Sequence, residues 1–155
     1  SAERIAREKE LLKKYGLRRK TEVWRSEAVL REFRRRARVL AYKQDKQEVD
    51  LLLNSVRRLG LIGASATLDD VLNLNIENLF ERRLQTIVLR KGIAKTAKQA
   101  RQMVVHGHIS VDGRRVRWPS MFISAELEGK VAMCEKSKMK GWIEGGEKTS
   151  QAKPA

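Results

Sequence analysis

Through the first half of the chain, apolar residues return every three or four positions, the repeat of a helix with one buried face. Residues 3 to 15 form one such stretch, with Ile5, Leu11, Leu12 and Tyr15 near one side and Gly16 as its stop. Thr21 is the expected cap of a long second helix, along which Val23, Leu30, Phe33, Ala37 and Leu40 share a face. Asp45 and Glu48 match a capping box, the pattern in which two side chains satisfy free N–H groups at a helix start. Val49, Leu52, Leu53, Val56 and Leu59 follow as a stripe that Gly60 and Gly63 end. Thr67 to Asp70 repeats the capping pattern ahead of "LDDVLNL". Residues 1–75 are therefore expected to be a layer of about four helices.

From Asn75 the pattern changes. "NIENLFERRLQTIVLRKG" predicts a single helix with Phe80, Leu84, Ile87 and Val88 inward and Gly92 past its end. Thr96 and Gln99 open another helix, Ala97 to Val105, whose Ala100, Met103 and Val104 point to a core. Ile109 and Val111 then alternate with Ser110 and Asp112, which is a strand signal. Asp112-Gly113 predicts a two-residue hairpin of type I′, with "RRVRW" as the returning strand. "MFIS" and "KVAMC" are expected as third and fourth strands, and "GGEKTSQAKPA" as a disordered end. The fold class is α+β: a helical domain at 1–75, a two-helix, small-sheet module at 76–135, and a basic tail at 136–155.

Composition narrows the partner. Lys and Arg number 34 against 19 Asp and Glu, a net charge of +15 in 155 residues, while 41% hydrophobic residues allow a real core. Such a surplus repels itself unless a polyanion offsets it; nucleic acid is the first candidate and an anionic membrane surface the second. No stretch approaches the roughly 18 apolar residues of a spanning helix. One cysteine, Cys134, excludes an internal disulfide, and the absence of a CxxC pair excludes zinc fingers and knuckles. Aromatics are only 5% of the chain, which disfavours an aromatic sheet that stacks bases. Trp118 reads as packing the sheet against the helices in preference to stacking on a base.

The expected binding groups lie in two places. Arg31, Arg34, Arg35 and Arg38, with Arg25, outnumber the acids on the long helix, so a solvated face and a phosphate-binding face are both open readings and the second is favoured. The start of the helix at Ala97 offers free N–H groups and a partial positive charge, with Lys95, Thr96, Lys98 and Arg101 beside it. Arg82, Arg83 and Arg90 would extend that patch. His106 and His108, the chain's two histidines, lack a convincing third metal ligand or a catalytic partner. Gly107 between them suits a helix end, so structural or RNA-facing roles are expected of both.

The stretch "ERRLQTIVLRKGIAKTAKQARQMVVHGHISVDGRRVRWPSMFIS" strongly resembles the S-four RNA-binding domain. An Arg-Leu helix, a hydroxyl-capped helix carrying "ARQ", a His-Gly-His turn and a Val-Asp-Gly hairpin follow in that family's order. "KELLKKYGLRRKTEVWR" and "TLDDVLNLNIENLFERRLQT" resemble the archaeal and eukaryotic branch of the S-four family of small-subunit ribosomal proteins. The resemblance implies a non-enzymatic, cytoplasmic ribosomal protein that binds small-subunit ribosomal RNA early in assembly, near the path by which messenger RNA enters. It implies neighbouring small-subunit proteins, and messenger RNA near that path, as partners. It adds Gln85, Gln99, Gln102, His106 and His108 to the RNA-binding set, and neither cofactor nor metal. Members usually open with a further short basic segment that this chain lacks, so truncation or trimming at Ser1 is an open expectation. Some bacterial relatives carry an N-terminal cysteine cluster that this chain lacks. Three rivals remain: an enzyme with an appended module, for which the chain has no room; a non-ribosomal RNA stress or quality-control factor; and a DNA regulator.

Overall fold

The computed structural model describes residues 1–134; the expected basic tail, including Lys136, Lys138, Met139, Lys140 and Trp142, lies outside the described residues. Four helices open the chain: α1 (Ala2–Tyr15), α2 (Lys20–Lys43), α3 (Lys46–Arg58) and α4 (Leu68–Leu72). Gly16 ends α1 at φ 62°, its N–H bonded to the Leu12 carbonyl. Asp45 starts α3 by accepting from the Gln47 N–H, and Asp70 reaches back to the Thr67 N–H at 2.7 Å ahead of α4. The start of α2 differs from the expected Thr21 cap. The helix begins at Lys20, and the Glu22 carboxylate folds back onto the N–H groups of Arg18 and Arg19 at 2.8 and 3.1 Å. On α1, Leu11 and Tyr15 are buried but Ile5 is exposed.

The expected long helix from Asn75 is two helices, α5 (Ile76–Phe80) and α6 (Leu84–Arg90). Its interruption has a clear cause 40 residues downstream. Arg83 pairs as a single bridge with Phe122, the Arg82 carbonyl accepts from the Ile123 N–H, and the carbonyls of Met121 and Pro119 accept from the Leu84 and Gln85 N–H groups. The free amides at the start of α6 are thus satisfied by a returning loop. "MFIS" serves that purpose and is not a strand of the sheet. After α7 (Ala97–Val105) come β1 (Ile109–Val111), β2 (Arg114–Arg115), α8 (Ala125–Glu128) and β3 (Val131–Met133), with α8 unforeseen. The strands form an antiparallel sheet in the order β2-β1-β3. Asp112 and Gly113 have φ of 52° and 77°, as a type I′ turn requires. Ser110 is buried along with Ile109 and Val111, because β1 is the central strand.

Two apolar cores result. Val23, Leu30, Ala37, Leu52, Val56, Val71 and Phe80 belong to the helical one. Leu84, Val88, Ala100, Met103, Val104, Ile109 and Ile123 belong to the other. The core changes between Phe80 and Leu84, so Ile76, Leu79 and Phe80 pack with the helices that precede them.

Polar groups tie the two cores together. Glu22 Oε1 accepts from Arg83 Nη2 at 3.0 Å and from Arg101 Nη1 at 3.2 Å, joining α2 to the start of α6 and the middle of α7. Arg83 is 5% exposed and its guanidinium lies over the Phe80 ring at 6.0 Å, so it depends on that carboxylate for compensation. Burial alone would push the Glu22 carboxyl up. The N–H groups of Arg19 and Arg18, then the Arg83 and Arg101 guanidiniums, outweigh burial and hold it at about 2. A second tie is Gln85, 1% exposed, whose Nε2 donates to the carbonyls of Gly16 and Ala97 at 3.1 and 2.9 Å. In a third, Tyr15 and Arg90 both donate to Glu81.

Gly16 sits where α1 meets α7. A Cβ there would come within 2.6 Å of Gln85 Nε2 and 2.9 Å of Ala97 Cβ, and the backbone is left-handed as well. Gly16→Ala is therefore expected to destabilise the protein by more than the roughly 1–2 kcal/mol that a left-handed residue alone costs. Gly92→Ala provides the control, since its φ is 76° and nothing lies within 4 Å of the new Cβ. Urea denaturation of both variants separates the packing from the backbone effect, and equal losses would contradict the tight junction.

Glu22→Gln should lower unfolding free energy by roughly 3 kcal/mol, because it leaves a buried guanidinium without its counter-charge. With a folded pKa near 2 against an ordinary 4.5, Glu22 contributes fully above about pH 4.5. Its contribution is lost as pH falls from there toward 2, so the variant's stability should fall less steeply across that window. Parallel acid arms for the two proteins would contradict the assignment.

Candidate nucleic-acid interface

The start of α7 is built as its sequence implies. The Thr96 hydroxyl accepts from the Gln99 N–H at 3.1 Å, and the Gln99 side chain accepts from the Lys95 N–H at 2.8 Å. Both side chains are fixed by that exchange, while Lys95 and Lys98 stand exposed at the positive end of the helix without an ion pair among the described residues. Beside them, the end of α1 and the outer face of α7 enclose an open groove of about 530 Å³. Lys13, Arg18, Lys98, Arg101, Gln102 and His106 line it with Leu12, Gly16, Leu17 and Val105, and no carboxylate is among the described lining residues.

Past His106 the basic surface continues onto the hairpin. Gly107 has φ 77°, and a Cβ there would meet Arg117 Nε at 3.0 Å and Arg115 Cδ at 3.2 Å. The glycine thus lets α7 end in a left-handed residue and lets two arginine side chains lie across the turn. Arg114, Arg115 and Arg117 are exposed and make no ion pair among the described residues. His108 is half-buried, and its backbone bonds to Met103 and Cys134. Among the described residues, no group of three His, Cys, Asp or Glu side chains is placed to hold a metal.

Several residues expected at the interface are used inside the molecule instead. Arg83 and Gln85 are buried in the junction and cannot face a ligand, because the break between α5 and α6 turns them inward. Arg82 donates to the Ile123 carbonyl and to Glu128, with its side chain 11% exposed. Arg101 lines the groove but also donates to Glu22. Arg90 is exposed and held by Glu81 at two contacts. On α2, Arg34 donates to the Leu74 carbonyl at 2.6 Å and Arg35 is paired with Glu32. Arg31 and Arg38 are exposed and free of ion pairs among the described residues. Arg31 and Arg34 line a different groove, with Arg4, Arg7, Glu3, Glu8 and Glu27, where acids offset the arginines.

The sequence reading missed Lys13, Arg18, Arg114, Arg115 and Arg117. A signal was present in "RRVRW": Val116 is the one buried residue of that run, which leaves the arginines on either side outward. Trp118 is a further correction, since it is 67% exposed where packing was expected.

Residues 82–128 match the S4 domain family. The chain is 43% identical over 150 residues to small ribosomal subunit protein uS4 of Methanothermobacter thermautotrophicus, spanning 95% of this chain and 88% of that one. It is 48% identical over 141 residues to the uS4 of Methanococcus vannielii, spanning 88% of this chain and 79% of that one. With the uS4 of Thermoplasma volcanium the identity is 43%, over 87% of this chain and 70% of the other. The similarity runs through the helical half as well as the RNA-binding module, and on that extent the chain belongs to the uS4 family of small ribosomal subunit proteins.

Proposed function

We propose that the protein is a structural, non-enzymatic component of the small ribosomal subunit that binds small-subunit ribosomal RNA directly during assembly, close to where messenger RNA enters. One observation carries the binding surface: the groove between α1 and α7 is walled by Lys13, Arg18, Lys98 and Arg101, with no carboxylate among its described lining residues. The basic surface runs on past His106 to Arg115 and Arg117 over Gly107. Lys98, Gln102 and His106 line this groove, Lys95, Thr96 and Gln99 stand at the adjoining start of α7, and Arg101 is shared between the groove and Glu22. Arg31 and Arg38 form a second, outlying contact. Phosphates are the natural ligands, because RNA helices hide their base edges and present backbone and 2′-hydroxyls.

Other small-subunit proteins, and messenger RNA near its path of entrance, are the further partners of this reading, and the cytoplasmic ribosome is its location. Similarity across the helical half supports a ribosomal protein over a stress factor built on the RNA-binding module alone. No described helix is long and apolar enough to cross a membrane.

With about five phosphates neutralised, the log–log dependence of affinity on salt should have a slope of roughly −3.5 to −4.5 on purified small-subunit ribosomal RNA. Lys95→Ala with Lys98→Ala should weaken binding by about 1–3 kcal/mol, flatten the slope by up to about two, and leave the melting temperature unchanged. This pair is preferable to one that includes Arg101, whose loss would also disturb Glu22. A flat salt response, or a double variant that binds as tightly as the parent, would remove the groove from the RNA.

A further inference from the structure

We infer that Trp118 is a stacking platform for one unpaired nucleobase of the bound RNA, with Arg115 and Arg117 holding the phosphates on either side of it; this rests on the ribosomal RNA reading and specifies how part of that RNA is held. Three features of the residue point to this role. Its exposure is the first: 67% of a large aromatic surface faces solvent, although the chain has two cores that could have taken it. Trp24, the other described tryptophan, donates its indole N–H to Glu8 at 3.2 Å, so it serves the fold. Trp118 has no such partner among the described residues.

Rigidity is the second feature. The Trp118 carbonyl accepts from the Met121 N–H at 3.1 Å, and the carbonyls of Pro119 and Met121 cap the start of α6 at 3.2 and 2.8 Å. Buried Val116 fixes the chain just before it. The indole therefore projects from a backbone pinned to the RNA-binding module, and ordering it on a ligand carries a small entropic cost.

The third feature is its surroundings. Arg114, Arg115 and Arg117 precede it and Ser120 follows, all exposed. Arg115 and Arg117 lie over Gly107 with no carboxylate partner among the described residues. An exposed ring that follows unpaired cations directly in the chain suits a base joined to phosphates. The base must be unpaired or splayed, because bases within a duplex have both faces already stacked.

The test compares the full chain with W118F and W118L, in filter binding to purified small-subunit ribosomal RNA and in thermal melts. All three should melt together. W118F keeps an aromatic face and should bind within about twofold of the parent, while W118L, with similar apolar bulk and no π-face, should bind about 5- to 100-fold more weakly. Indole emission of the parent should be quenched on RNA addition by more than that of W118F. If W118L binds free ribosomal RNA as tightly as the parent, the inference is overturned. If it does so yet is lost from assembled subunits, Trp118 meets a protein instead, which also overturns it. Failure of the parent to bind the RNA would overturn the ribosomal reading itself and this inference with it.

Discussion

The Glu22 carboxylate is the central tie between the two halves of this protein. Arg83 is buried at the point where the chain leaves one apolar core and enters the other, and a buried guanidinium without a counter-charge is strongly unfavourable. Glu22 meets that need from α2 while also capping α2 and holding Arg101 on α7. The position of α1 follows, since Gly16 must lie against Ala97 with Gln85 bonded to both. The groove proposed for RNA exists only in that arrangement, because α1 supplies one wall and α7 the other.

The same ion pairs explain how a chain of net charge +15 folds and still presents a basic surface. Acids are placed against arginines that have structural duties: Glu22 with Arg83 and Arg101, Glu81 with Arg90, Glu128 with Arg82. Around the groove and the hairpin, the side chains of Lys13, Arg18, Lys98, Arg115 and Arg117 make no ion pair among the described residues. Their mutual repulsion weakens the folded state, and a polyanion would offset it. Charge placement, more than charge number, therefore separates the arginines that build the protein from those available to RNA.

Much of the fold was legible because it rests on local rules. Helical spacing located α1 to α4 and α7, Asp45 and Thr96 capped their helices as expected, and Asp112-Gly113 marked its hairpin. The readings that failed depend on residues far away in the sequence. Nothing local in "NLFERRLQT" reveals that Ile123 and Met121 will return to break the helix and turn Arg83 and Gln85 inward. Thr21 looked like a cap until Glu22 took that duty through a bond pattern that also serves α6 and α7. Within the candidate interface, the Thr96–Gln99 helix start was readable from its capping residues. The contribution of Lys13 and Arg18 was not, because it arises only when α1 packs across α7.

If Glu22 and its partners join the cores into one unit, both must open together. Native-state hydrogen exchange across a series of urea concentrations measures this directly, by following Leu52 and Val56 in the helical core and Met103 and Val104 in the other. The account predicts that the slowest amides of the two cores converge on one opening free energy with one urea dependence. A second core that opens at distinctly lower free energy while the helical core stays closed would contradict it.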